Sequence, residues 1–450
     1  MTAPPVLLPL IPLHGLASRH DLPLPFGFVL VGAAAALAIT FGVLLLAWRR
    51  PRFGADPGVP VPRIQAVVDN RVVRTVGRVL VLALFAWVGL AVAIGPDQLT
   101  NPVFGFVFVW LWVGAVPLSL IMGPVWRVVN PLRTVHLVLC RLARTDPDRG
   151  LVELPRSFGV WPAALSLFAF AWLELVQPDR TTLSVLRVWV LAWSVIMIIG
   201  AVVAGRRWIG AADPFEAYAT TVSRLSPWRR SVDGGLRFVN PLAGLSAAAL
   251  PAGTVGVVAV LLGSTALDSF ANLSWWIQTV QDSDLSPVLW ETAGLVTMIM
   301  IVALTFTASA AWMARSPGRE ASRLRPQDTV GAMAGSLVPI VVGYAVAHYA
   351  TLLVVEGQRV AVNLSDPLGR GWNVFGTADL AVSTAVFTHP TGVAVLQLVA
   401  IVVGHLMGIV VAHERAVSLL APTAALRGQW PMLVVMVGYT CAGLVLLFSP

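Results

Sequence analysis

Lysine is absent from this 450-residue chain, so all 30 basic residues are arginine. Cysteine is almost absent as well. Cys140 and Cys441 fall in separate apolar runs with no Cys-x-x-Cys spacing, which excludes a disulfide framework and leaves no thiol redox centre legible. Charged residues make up 12% of the chain, about half the share of a soluble globular domain. Familiar chemical signatures are also missing: no His-Glu-x-x-His zinc helix, no Walker A loop, no Gly-x-Gly-x-x-Gly between a strand and a helix. Nor is there a Gly-x-Ser-x-Gly nucleophile elbow. A soluble ATPase or dehydrogenase domain has no room here.

What fills the chain instead is apolar. Hydrophobic residues make up 57%, and the mean hydropathy is +0.81. Ten runs are long enough to cross a hydrocarbon layer of roughly 30 Å as helices rising about 1.5 Å per residue. They lie at about 24–48, 76–95, 103–122, 157–176, 185–204, 248–267, 289–313, 330–355, 393–413 and 430–448. The expectation is an all-α transmembrane bundle of about ten spans, a single domain over 24–448 behind an exterior segment 1–23. The first run follows His20-Asp21 and ends at Trp48-Arg49-Arg50 without a small-residue cleavage site, so it reads as a retained span.

Arginine sets the expected orientation. The loops 49–75, 123–156, 205–247, 314–329 and 414–429, with the adjoining helix ends, hold 25 Arg and 11 acidic residues. The other side holds 5 Arg and 11 acidic residues, giving balances of +14 and −6. The positive-inside rule then predicts a bacterial cytoplasmic-membrane protein with both termini exterior. Arginines facing anionic headgroups of the lipid bilayer account for a pI near 10.8, so no nucleic-acid partner is expected.

The N-terminal stretch Pro4 to Gly15 is apolar but interrupted by proline, and it reads as an exterior segment lying against the bundle, with His14 beside it. An amide or acid precedes proline at Asn130-Pro131, Asp213-Pro214, Asn240-Pro241 and Asp366-Pro367, among other places. Asn and Asp cap helices while proline suits the first turn, so short interfacial helices are expected, with a substrate gate as the sharper alternative. In 268–288, Trp275 and Trp276, with Trp290 after them, read as an interfacial belt or as a roof over an outer cavity.

Intramembrane polar residues concentrate in the C-terminal half. His348 lies in the outer half of the eighth run, with Glu356 near its end; His405 sits near mid-membrane in the ninth, and His413-Glu414-Arg415 at its inner edge. Charge pairing and anchoring are expected of that triplet. The offset of His405 and His413 rules out a bidentate pair on one helix, but His405 and His348 can meet across two helices. A divalent transition metal there needs further ligands from Glu356, His389, Glu174, Asp268 or Glu291. Intramembrane histidine also carries protons or binds substrate. Glu174, Asp268 and Glu291, with Glu356, form a candidate exterior acidic vestibule that attracts cations. Gly404 and Gly408 make a Gly-x-x-x-Gly step for close helix packing.

Several of these segments share a pattern: Asn130-Pro131-Leu132-Arg133, Asp213-Pro214-Phe215-Glu216, Ser365-Asp366-Pro367-Leu368-Gly369-Arg370-Gly371-Trp372-Asn373, Phe375-Gly376-Thr377-Ala378-Asp379 and the stretch from Gly404-His405 to Arg415. Together they resemble a family of actinobacterial polytopic membrane proteins commonly named fenitrothion hydrolase. The likeness covers most of the chain and is most specific over 363–416. It implies attack of water at the phosphorus of an organophosphorus ester, with a metal polarising the phosphoryl group. His348 and His405 would then be ligands, and exterior acids would orient water. The residues alone favour transport of a cation or small solute; ester hydrolysis and a non-enzymatic membrane complex subunit are the alternatives.

Overall fold

The computed structural model describes residues 18–53, 58–246, 250–315, 326–420, 425 and 428–448. The proline-interrupted N-terminal stretch, with His14, lies outside the described residues, as does most of the loop 314–329.

Helix α1 (Phe26–Ala47) buries Val29, Ala33, Leu37, Phe41 and Leu44, a single stripe at three- and four-residue spacing. Phe28, Val31, Ile39 and Leu46 remain exposed on its other faces. A helix apolar all round but buried along one stripe is suited to lipid on the rest. Beyond strand β1 (Val59–Pro60) come α2 (Pro62–Asp69) and α3 (Arg71–Ile94), the latter capped by Asn70. The third span is broken: α4 (Pro102–Gly105) passes through a wide π turn at Phe106–Leu111 into α5 (Ala115–Met122), with a bend of 45°. Next are α6 (Trp126–Val129), α7 (Pro131–Ala143) and α8 (Trp161–Leu175). α9 (Leu183–Ala204) leads into α10 (Arg207–Ala212) and α11 (Pro214–Val222).

Strands β2 (Trp228–Arg230) and β3 (Leu236–Phe238) join β1 in a small antiparallel sheet of order β1-β3-β2, with Phe238 opposite both Val59 and Trp228. After the sheet come α12 (Pro241–Ser246), α13 (Thr254–Phe270) and α14 (Ser274–Gln281), the last turned 83° from α13. The described chain closes with α15 (Pro287–Arg315), α16 (Pro326–Met333), α17 (Val338–Asn363), α18 (Pro390–Leu419) and α19 (Trp430–Phe448).

Among the described residues, seven helices are long and apolar enough to span a membrane, or up to nine if each bent pair is one span. The fourth expected run, 157–176, forms α8, whose 15 residues cover only about 22 Å.

Two of the connections expected at the interface, those at Asn130-Pro131 and Asp213-Pro214, are instead folded into the bundle. After α9 the chain reverses at Gly205, whose φ of 71° is the left-handed conformation that glycine adopts without a Cβ penalty. α10 then runs back along α9, with the Trp208 indole donating to the Ile196 carbonyl at 3.1 Å. The Phe215 ring at the start of α11 packs 5.4 Å from Trp193, near the midpoint of α9, and 5.2 Å from Phe170 of α8. The exit lies at the end of α5, where the Trp228 indole donates to the Ile121 carbonyl. α6 and α7 form a similar excursion: Gly123 (φ 71°) turns the chain, and Trp126 packs 5.9 Å from Phe85, midway along α3. These are two helical hairpins entering from the arginine-rich face. α11 is buried along nearly its whole length, which an interfacial helix would not be.

α17 and α18 form the tightest pair. A Cβ on Gly404 would lie 2.7 Å from the Pro339 carbonyl, and one on Gly408 would lie 2.8 Å from that of Ser336. The small residues bring the two backbones together, as the Gly404–Gly408 spacing predicts. This contact also fixes the antiparallel register, with 404 between 339 and 343 and 408 between 336 and 340.

Candidate functional site

The outer cluster grows from α13 and α17. Helical spacing puts Tyr344 and His348 one turn apart on one face of α17, with Tyr349 beside them. The end of α13 supplies Asp268 and Ser269. His348 Nε2 lies 2.9 Å from Asp268 Oδ2, and the Tyr349 hydroxyl donates to the same oxygen at 3.2 Å. His348 Nδ1 lies 3.3 Å from the Ser269 hydroxyl, which in turn is 3.3 Å from the Tyr344 hydroxyl. An ionised carboxylate only accepts, so Nε2 carries the proton toward Asp268. The result is a chain of exchangeable groups in the order Tyr349, Asp268, His348, Ser269, Tyr344. His348 is 2% exposed.

Glu174, the penultimate residue of α8, lies within electrostatic reach of Asp268, Tyr349 and Tyr218. It makes no hydrogen bond or ion pair to any described residue. The expected acidic vestibule is thus halved: Glu174 and Asp268 come together, while Glu291 faces the Trp276 indole at 3.5 Å and Glu356 pairs with Arg359 at 2.8 Å. Trp275 is exposed but Trp276 is buried against Phe270 and Trp290, so only part of the expected aromatic belt is at a surface.

His405 does not join His348. Gly404 packs against both Pro339 and Gly343, so His405 stands about two turns from His348, roughly 11 Å along the helix. Its Nδ1 lies 2.8 Å from the Ile401 carbonyl and therefore holds the hydrogen, which leaves Nε2 as a bare acceptor with no partner among the described residues. His389 is exposed and bonded locally to Thr388 and Ala385. Among the described residues no group of three or more His, Cys, Asp or Glu is placed to hold a metal ion. Gln397, on α18 at the depth of His348, is 1% exposed with both amide atoms unpartnered.

The second polar assembly joins the tips of the two hairpins. Asn130 Oδ1 accepts from the Leu132 amide at 3.0 Å, and Asp213 Oδ1 accepts from the Phe215 amide at 3.1 Å, the expected caps. The free side of each cap meets the other: Asn130 Nδ2 donates to Asp213 at 2.6 Å and to Glu216 at 3.2 Å. Arg133 closes the assembly with two bonds of 2.5 Å to Glu216. Burial, and then the charge of Glu216, pushes the Asp213 carboxyl up to about 7, against the hydrogen bonds from Asn130 and the Phe215 amide.

Asp366 caps no helix. Its carboxylate accepts from the Arg370 and Gly371 amides at 2.9 and 2.7 Å and closes an outer turn. The inner triplet pins separate segments together and is not paired within itself. Glu414 accepts from the Trp48 indole and from the Arg52 and Phe53 amides, and His413 bonds to Trp48 and Gln429. Arg415 donates to the Ala332 and Ser246 carbonyls.

No protein-family model, curated protein or solved structure matches this chain. A polytopic membrane bundle with two internal polar assemblies is what the geometry supplies. The participants that sequence reading missed are Ser269, Tyr344, Tyr349, Tyr218 and Gln397. Tyr344 had a signal, since it precedes His348 by one helical turn; Ser269 and Gln397 had none.

Proposed function

We propose that the protein is a transporter that moves a cation through the bundle, with protons carried on the outer cluster. The observation that carries this reading is the Asp268–His348 contact of 2.9 Å between spanning helices, extended by hydroxyls on both sides. Asp268 contacts the imidazole, and a second carboxylate, Glu174, lies within electrostatic reach of Asp268. In a low-dielectric site the excess negative charge calls for a proton or a metal cation. The unmet hydrogen-bonding capacity of Gln397 and of His405 Nε2 supplies further polar stations along α18. Inward, Glu174 is followed by Tyr218 on α11, two residues from Glu216 at the hairpin tips. In this reading the arginine-rich face is cytoplasmic and both termini are exterior, in a bacterial cytoplasmic membrane.

The likeness to the fenitrothion hydrolase proteins implies metal-assisted ester hydrolysis. His348 is engaged by Asp268 and Ser269 and stands out of level with His405, which gives that reading no two-histidine seat for a metal.

The test is cation flux in proteoliposomes, read with a pH-sensitive dye for protons and with isotopes for Na+ and K+. The wild-type protein is expected to dissipate an imposed gradient at least tenfold faster than Glu174→Gln or His348→Gln. Wild-type flux no faster than that of protein-free vesicles, for all three cations, would refute the proposal.

A further inference from the structure

A separate cavity of about 1150 Å³ opens on the arginine-rich face beside the hairpins. Its walls carry Arg127, Arg133, Arg149, Arg206, Arg207 and Arg224, which come from five different segments of the chain. Among the described residues, three carboxylates share the walls: Asp148, Glu153 and Glu216. Six cations against three anions leave an excess of three positive charges. Two of the carboxylates are already committed, Asp148 to Arg206 and Glu216 to Arg133. Arg127, Arg207 and Arg224 make no ion pair with any described residue.

The positive-inside rule accounts for arginines on this face, but it has no need of six lining one concavity. Lipid anchoring is served as well by arginines spread over a convex rim. A concave, low-dielectric wall concentrates their potential. Guanidinium groups, with paired N–H donors at fixed geometry, suit the oxygens of phosphate better than they suit halide.

We propose that this cavity binds a phosphate-class oxyanion, presented either by a soluble phosphate compound or by an anionic lipid headgroup. Arg127, Arg207 and Arg224 supply the uncommitted donors. Arg133 stands at the inner end, where its bond to Glu216 connects the bound anion to the hairpin tips. Nothing in the binding depends on the outer cluster, because Asp268 and His348 are not in these walls.

The test uses full-length protein in dodecyl maltoside, a detergent without phosphate. Inorganic phosphate and pyrophosphate are titrated by calorimetry, and retention of added phosphatidylglycerol is followed by native mass spectrometry. Saturable binding of either soluble probe identifies a soluble ligand; retention of phosphatidylglycerol alone identifies a headgroup. In both cases Arg207→Gln and Arg127→Gln are each expected to weaken binding about tenfold, while Arg71→Gln, an exposed arginine outside the cavity, leaves it unchanged. Arg224→Gln is the half-buried third, and the two exposed variants keep the test decisive if it fails to fold. Failure of every probe to bind, or equal weakening by Arg71→Gln and the cavity variants, would overturn the proposal.

Discussion

Replacing Arg133 by Met removes a guanidinium that makes two bonds of 2.5 Å to Glu216 while keeping most of the apolar stem. Glu216 has a side chain 3% exposed, and without Arg133 its only other polar partner there is Asn130. Breaking a buried pair from one side costs about 3–5 kcal/mol, because the remaining charge stays largely desolvated without its partner. Glu216→Gln should cost less, about 1–3 kcal/mol, since Arg133 is 15% exposed and can turn toward the cavity. A double-mutant cycle separates the pair from these one-sided penalties, with an expected coupling of about 2 kcal/mol or more; an exposed pair gives about 0–1 kcal/mol. The assay is reversible unfolding in mixed dodecyl maltoside and SDS micelles, followed by tryptophan fluorescence at neutral pH. A coupling below about 0.5 kcal/mol would mean that the hairpin tips are bathed in solvent, and the account of two joined, buried hairpins would fail.

The same tips carry a pH dependence. The folded pKa of Asp213, about 7, lies above its ordinary value of 3.8, so its contribution to stability is full below about pH 4 and is lost as pH rises through 7. Unfolding titrations between pH 4.5 and 8 should show the wild type losing up to about 3 kcal/mol, from about 1.4 kcal/mol per pH unit between 4.5 and 7; a flat profile contradicts the burial argument. Gly404→Ala should separate α17 from α18, because its Cβ would lie 2.7 Å from the Pro339 carbonyl and 3.1 Å from the Gly343 Cα. A loss of about 1–3 kcal/mol in the same micellar assay is expected, and an unchanged midpoint would show that the helices can part without cost.

Hydropathy made the spans legible because lipid exposure demands an unbroken apolar surface, and α1 displays that demand in its exposed Phe28, Val31 and Ile39. It misjudged α11 for a related reason. In Pro214–Val222 the residues Glu216, Thr220 and Thr221 lower the hydropathy to that of a loop, yet Glu216 is neutralised by Arg133, which lies 83 positions away. A hydropathy window treats each polar side chain as if it faced the solvent alone, so paired burial across the bundle escapes it. His348 shows the same limit at the candidate site. Its polar character marked it out, but its partner was decided by the register of α17 against α13 and α18, and no spacing along a single helix encodes that.

The acid- or amide-proline steps show how far local chemistry can still go. Asn130 and Asp213 each precede a proline and then a glycine-free apolar segment, and each starts a buried helix. Asp366 precedes Pro367 in the same way, but Gly369 and Gly371 come next with φ of 63° and 77°, values outside the right-handed helical region. The Arg370 and Gly371 amides turn back to the Asp366 carboxylate, and the segment closes as an outer turn instead of extending. The capping residue and the proline are common to all three, so they specify only a helix-compatible first turn. The residues beyond the proline decide the outcome: side chains able to bury against the bundle continue the helix, and glycines free to adopt positive φ end it. The gate alternative for Asn130 and Asp213 therefore gains a physical basis that Asp366 lacks, since only the first two place a capping side chain against a second hairpin inside the membrane domain.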